Sequence, residues 1–266
     1  MKKKVFLICI VYGIIAAYFA SLFYIETLAY TYPKSPRQDL SEVAGKTAAQ
    51  LTDEDYRFIY SQTGLGRPAV DSLSSLDLLY GYQESYYSAP DFCCNMNSPV
   101  SFEERIIGTP AKLAPLENGD ILVTNSSHVL SWRNGHAAIV VDAENCVTLE
   151  AVVIGQNSKT QTVSKWAGYP NFAVLRLKNA DKSERDKIAR SAMDNLNDIP
   201  YNVFIGLFPM KYSEIGKVSG TQCAHLVWQA YASFGYDIDS NNGLIVTPLD
   251  IYRSDLFEIV QTYGIE

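Results

Sequence analysis

The stretch GTQCAHLVWQAYASFGYDID, residues 220–239, places a cysteine just after a Gly-Thr pair and just ahead of a helical pattern. Leu226, Val227, Ala230, Tyr231 and Phe234 recur three or four residues apart and define one buried face. Gly235 supplies a stop, and Thr221 or Ser219 can cap the start. A thiol in the first turn feels the positive end of the helix dipole and the unpaired N–H groups there, which favour the thiolate. The same N–H groups can hold an oxyanion. Position alone leaves two readings for Cys223: a thiolate nucleophile, or a small hydrophobe in a core.

A nucleophile needs a base, and the chain has three histidines. His225 is two residues beyond Cys223 and projects from a different side of the helix, so it reads as a surface or supporting residue. His128, in SSHVLSW, belongs to a strand or its edge. His136 opens HAAIVVD, a polar residue at the start of an apolar strand, with small Ala137 and Ala138 leaving room for a helix end to approach. Each could instead be a hydrogen-bonded structural group. Glu150 is a lone acid in the apolar run CVTLEAVVI, where a carboxylate is costly without a partner. A hairpin turn centred on residue 143 sets Glu150 opposite His136 on the same face; moving the centre by one residue makes the contact diagonal. Nucleophile, base and orienter of the base form a triad, in which Glu150 fixes the imidazole and favours its protonated form.

These residues must be carried by a mixed fold. Thr52 with Glu54 and Asp55 predicts a helix start, Tyr56, Ile59 and Tyr60 a buried stripe, and Gly64 with Gly66 its end. A weaker helical pattern covers 68–82, and DFCCNMNSPVSFEERI reads as loop and connector. From about Ala114 the period changes, and GDILVTNSSHVLSW, HAAIVVDAENCVTLEAVV, TQTVSKWAG and NFAVLRLK predict four to six antiparallel strands. A helix follows over 181–195, then an irregular stretch, the Cys223 helix, and a closing loop with a last strand or helix.

With 266 residues, 47% hydrophobic and 19% charged, the chain can bury a real core. A net charge of −7 argues against nucleic acid as a partner. Three lysines precede an uncharged run from Val5 to Ile25, long enough as a helix to span a hydrocarbon core of ~30 Å. The lysines keep the N-terminus cytoplasmic and put the body outside. Residues 1–30 therefore read as a signal-anchor, or as a signal peptide cleaved near Ala29. The body is exported in either case: membrane-anchored through residues 5–25, or secreted or periplasmic. Residues 31–112 read as tether and helical region, and 113–266 as the catalytic domain. Outside the cytoplasm Cys93 or Cys94 could pair with Cys146, though nothing forces it. No Cys/His spacing suits a structural metal.

At these residues the chain resembles a known family. IPYN…QCAHLVWQAYASFGYDID is similar to the first half of NlpC-type cell-wall cysteine hydrolases, where Pro-Tyr precedes a Cys-initiated helix ending in Gly, as Pro200-Tyr201, Cys223 and Gly235 do here. GDIL…HAAIVVD…TLEA…V…W is similar to their second half, with Gly119-Asp120, His136 and Glu150-Ala151. The histidine half comes first here. That order resembles the circularly permuted papain-like branch, the YiiX-like hydrolases, related in arrangement to lecithin:retinol-acyltransferase-like enzymes; LTDEDYRFIYSQTGLGRPAVDSL also resembles the N-terminal region of YiiX-like proteins. The resemblance spans roughly residues 50–260.

It implies an α+β papain-like fold with an antiparallel sheet packed on the cysteine helix, and amide chemistry without cofactor or metal. It assigns Cys223 as nucleophile, His136 as base, Glu150 as orienter and Tyr201 as the hydroxyl assisting the oxyanion, a position where a packed core tyrosine is the other reading. Gln222 before the cysteine and Ala224-His225 after it depart from the family pattern. The expected function is an exported cysteine amidase or peptidase acting on a peptide or other amide, such as a peptidoglycan fragment. Two alternatives stand beside it: a lipid acyl amidase or acyltransferase, and a non-catalytic binding module on the same fold.

Overall fold

A computed structural model of the chain describes residues 2–22, 29–207 and 210–265. Helix α1 occupies Lys2–Leu22. Among the described residues no helix is long and apolar enough to cross a membrane. Residues 23–25, the end of the uncharged run expected over 5–25, lie outside the described residues.

Four short helices follow: α2 (Ser41–Ala44), α3 (Asp53–Thr63), α4 (Arg67–Ser72) and α5 (Leu79–Tyr87). Thr52 starts α3 as expected, through a reciprocal cap. Its hydroxyl accepts from the Asp55 amide at 3.2 Å, and the Asp55 carboxylate accepts from the Thr52 amide at 2.8 Å. Gly64 ends α3 in the left-handed region, with φ 70°. A Cβ at Gly64 would stand 2.0 Å from the Thr262 carbonyl oxygen, and one at Gly66 only 1.8 Å from that of Ile259. The two glycines therefore do more than stop a helix: they let Leu65 pair with Gln261 of the last strand. The single helix expected over 68–82 is broken into α4 and α5, because Ser75 turns back to accept from the Asp77 amide and caps a 3-10 turn at Leu76–Leu78.

The segment expected as a connector is a hairpin, β1 (Asp91–Ser98) and β2 (Ser101–Ile107), paired from Asp91↔Ile107 to Ser98↔Ser101. Asn97 and Pro99 mark its tip rather than a loop throughout. Its strands escape pattern reading because β1 is exposed along its length and β2 buries Glu103 and Glu104 instead of apolar side chains. Eight further strands follow: β3 (Ile121–Thr124), β4 (Ser127–Val129), β5 (Trp132–Arg133), β6 (His136–Asp142), β7 (Val147–Glu150), β8 (Lys159–Thr162), β9 (Phe172–Leu177) and β10 (Phe257–Tyr263). Between β8 and β10 lie helices α6 (Ser164–Ala167), α7 (Lys182–Leu196), α8 (Cys223–Ala232) and α9 (Pro248–Tyr252). TQTVSKWAG is thus part strand and part helix.

The fold is α+β. Six strands form the main sheet in the order β10-β9-β3-β6-β7-β8, antiparallel throughout, and β1-β2-β4-β5 form a second sheet. One face of the main sheet packs on α7 and α8 through Ile121, Ala137, Ile139, Leu149, Ile188, Val227 and Trp228. The other face packs on the N-terminal segment, where Leu122, Ala138, Val140 and Trp166 meet Leu40, Ile59, Leu65 and Leu79. The stretch expected as a tether is therefore partly core, with Leu40 fully buried. All five cysteines are free, so the Cys93 or Cys94 pairing with Cys146 is not made.

Candidate active site

Helix α8 presents Cys223 at its first position, buried at 9% exposure. The cap is neither Thr221 nor Ser219 but Gln222. Its Oε1 accepts from the Ala224 amide at 2.9 Å, while its Nε2 donates to the Val246 carbonyl at 2.8 Å. The same Oε1 lies 3.4 Å from Cys223 Sγ. Gln222, a departure from the family pattern, is thus the residue that fixes this helix end. Phe234 lies beyond the last helical turn and is half-exposed, so the buried face is shorter than its spacing suggests.

Strand β6 brings His136 to the same point. Ala137 keeps only a methyl group on the face that α8 packs against, which admits the helix N-terminus. This places His136 beside Cys223, close enough for each to act on the other's charge. Its Nε2 lies 2.7 Å from Glu150 Oε2. The register differs by a small step from the one expected. Strands β6 and β7 pair Ile139 with Leu149 and Val140 with Thr148, so the turn centres on residue 144 and Ala138 stands opposite Glu150. His136 is two residues along, on the same face, and the contact is diagonal.

Glu150 is fully buried and accepts from four donors. Oε2 takes His136 and the Lys165 ammonium, the latter at 3.1 Å; Oε1 takes Trp166 Nε1 at 3.0 Å and the Thr148 hydroxyl at 2.7 Å. The Trp166 ring also stacks on His136, with centroids 5.5 Å apart and planes 11° apart. Sequence reasoning missed Lys165 and Trp166. The one available signal was the rarity of an acid in an apolar strand, which demands donors from somewhere.

The electrostatics favour an ion pair. Burial pushes the Cys223 thiol up, but His136 beside it, with the Ala137 and Ala224 amides, holds it below its ordinary value. Burial pushes His136 down, yet Cys223 and Glu150 raise it to about 9. Glu150, despite complete burial, is held below the usual carboxylate range by His136, Lys165 and Thr148. Tyr201 stands beside the thiol, its backbone bridged to Thr221. Burial and the Cys223 charge push its hydroxyl well up, so it remains a donor.

The other histidines are structural. His225 is buried, not on the surface: Thr221 Oγ1 lies 3.1 Å from its Nδ1 and Gln229 Nε2 3.4 Å from its Nε2. Burial and the charge of Lys211 hold it down to about 4, a neutral imidazole. His128 lies on β4 with Nε2 3.2 Å from Glu104, which also takes a two-pronged Arg133 at 2.6 and 2.7 Å.

Two openings lie near these residues, reached through Tyr201 and Lys165 rather than lined by Cys223, His136 or Glu150. A narrow cleft brings Tyr201 together with Val100, Val129, Val153 and Ile154. A polar cavity of about 340 Å³ is lined by Arg105, Lys159 and Lys165, the lysine that reaches Glu150. The two share Val152 and Val153. Among the described residues, no group of three or more His, Cys, Asp or Glu could hold a metal.

No family model and no curated protein matches the chain. The crystal structure of metalloprotein YiiX from Escherichia coli O157:H7 (DUF1105) aligns with 57% of this chain and 99% of its own, at 17% identity and a TM-score of 0.43. That likeness is too loose to bear on activity or on metal content, so the chemistry is argued from the site.

Proposed function

We propose that this protein is a cysteine hydrolase that cleaves an amide bond through Cys223, His136 and Glu150, on a permuted papain-like arrangement. The observation that supports this reading is the buried His136–Glu150 pair, 2.7 Å apart, set beside Cys223 at the start of α8. The Cys223 thiolate attacks the carbonyl carbon. The oxyanion is held by the Cys223 amide and the Tyr201 hydroxyl. His136 gives its proton to the leaving nitrogen as the C–N bond breaks, leaving a thioester and free amine. Neutral His136 then takes a proton from water, whose oxygen attacks the thioester. The carboxylic acid leaves, and the thiolate–imidazolium pair returns. The residues in this reading need neither metal nor cofactor to move these protons.

The substrate class is a peptide or related amide, such as a peptidoglycan stem peptide. The body is exported, anchored through residues 5–25 or released by cleavage near Ala29. A second reading, a lipid acyl amide, is favoured by one observation. The exposed side chains of Val100 and Ile154 line the cleft, exposed Leu130 and Trp132 follow its Val129 in the chain, and Tyr18 of the apolar α1 stacks on Trp132 with centroids 5.9 Å apart.

One assay separates these. The full chain is offered short peptide amides, γ-glutamyl amides and vesicle-borne N-acyl amides, alongside the Cys223→Ala variant. The triad requires turnover that disappears in Cys223→Ala while the thermal midpoint stays nearly unchanged; turnover retained in that variant overturns the mechanism. Cleavage confined to the vesicle-borne amide selects the lipid reading.

A further inference from the structure

Lys165 has no place in the three-residue mechanism, yet it touches its centre. Its ammonium lies 3.1 Å from Glu150 Oε2, the oxygen that His136 Nε2 approaches to 2.7 Å. Two cations therefore share one carboxylate oxygen. The other oxygen is filled by Trp166 and Thr148, so Glu150 has no spare acceptor for either cation. Both Lys165 and Trp166 come from α6, four residues long, which delivers a charge and an indole to the same acid.

The charges facing this pair come from every element around it. Cys223 on α8 and Glu150 on β7 attract the imidazolium directly. Glu103 on β2 adds a third negative charge that acts on His136, and it lies 3.8 Å from Lys165. Glu103 is itself bonded by the Tyr169 hydroxyl at 2.9 Å and by the Arg105 guanidinium. Arg105 in turn donates to the Lys165 carbonyl at 2.7 Å. Lys165 is the ammonium inserted between the two carboxylates, and its outer side opens on the polar cavity.

We infer that Lys165 is a positioning residue that shares Glu150 with His136 and limits how tightly the imidazolium is held. The inference rests on the proposed triad. The sign follows from like charges. A cation beside the same oxygen disfavours protonated His136 and weakens its hydrogen bond to Glu150. Without Lys165, Glu150 and Glu103 would both act on His136 unopposed, and the proton would be held too firmly to pass to a leaving amine.

The test needs no substrate. Histidine ¹⁵N-labelled full chain is titrated by NMR, with the three imidazoles distinguished by a His136→Gln control. In Lys165→Met, which keeps the stem and removes the charge, His136 is expected to titrate about one pH unit higher than in the parent. Lys165→Arg restores the cation and is expected to return the value close to the parent. An unchanged His136 in Lys165→Met, with the three resonances otherwise native, overturns the inference. A shift in Lys165→Met that Lys165→Arg fails to reverse overturns it as well, because a structural role then suffices. These outcomes stand whether or not the hydrolase assay finds turnover. Once a substrate is known, the basic limb of the pH–rate profile should move up by the same amount in Lys165→Met.

Discussion

Glu150 is buried completely and still charged, because four donors replace the water it has lost. That arrangement sets His136 in one orientation and, with Cys223, raises its hold on a proton. His225 shows the opposite solution, a buried histidine kept neutral with its value lowered to about 4. The sign of its effect on stability is definite. Unfolded, it protonates near its ordinary value of about 6.5, so the unfolded state binds the extra proton and stability falls as pH drops from there toward 4. His136 adds only a few tenths of a kcal/mol in the opposite sense over that window, because it is protonated throughout in the fold and at least half protonated when unfolded. Thermal melts should therefore lose on the order of 3 kcal/mol between pH 6.5 and 4. His225→Asn should flatten that loss in calorimetry. His136 and Glu150 were legible in the sequence because each is a polar residue in an apolar strand, and Cys223 because it opens a helical pattern. Lys165 and Gln222 were not, since a lysine or glutamine near a turn looks like ordinary surface, and only the fold shows that each is turned inward.

At the scale of elements, the site is where a strand start, a hairpin and a helix start converge. The hairpin was readable because its strands are apolar with a polar turn; its centre was misjudged by one residue because the turn takes in Ala143 to Cys146, with Cys146 at a positive φ of 55°. Even so, the displaced register kept His136 and Glu150 on one face, since the offset preserves the two-residue alternation. The β1–β2 hairpin was unreadable for the reverse reason: it pairs exposed residues with buried acids. At the end of β3 away from His136, Arg176 of β9 forms a buried ion pair with Asp120, its Nε and Nη2 at 2.8 and 2.7 Å from the carboxylate. Asp120 was visible only as part of a Gly-Asp pair. Arg176→Met would leave that carboxylate buried and uncompensated. The expected cost is about 3–5 kcal/mol, read as a lower denaturant midpoint; a change within about 0.5 kcal/mol would assign the pair no structural role.

Across the whole molecule, one sheet serves two cores. The face toward α8 carries the cysteine helix, and the opposite face is closed by residues before 115, including Leu40, Ile59 and Leu65. The α+β class and the late helices were legible from periodicity. The packing of 31–112 against the sheet was not, because a Pro-containing polar stretch with a few apolar residues looks like a linker until a partner surface exists. Leu40→Ala should therefore cost about 2–5 kcal/mol and lower a single cooperative transition reported equally by tyrosine and tryptophan signals. Two separate transitions would mean that the N-terminal segment folds apart from the sheet. The central claim is the thiolate–imidazolium pair, and it is tested most directly by the rate at which iodoacetamide alkylates Cys223 as pH is raised. Mass spectrometry of the Cys223 peptide gives the rate, with exposed Cys93, Cys94 and Cys146 as internal references. Cys223 in the parent chain should react as a thiolate well below the ordinary thiol value of about 8.5. In His136→Ala its profile should move up to that value or above it. A parent profile that already follows the reference cysteines, or one that His136→Ala leaves in place, would contradict the pairing.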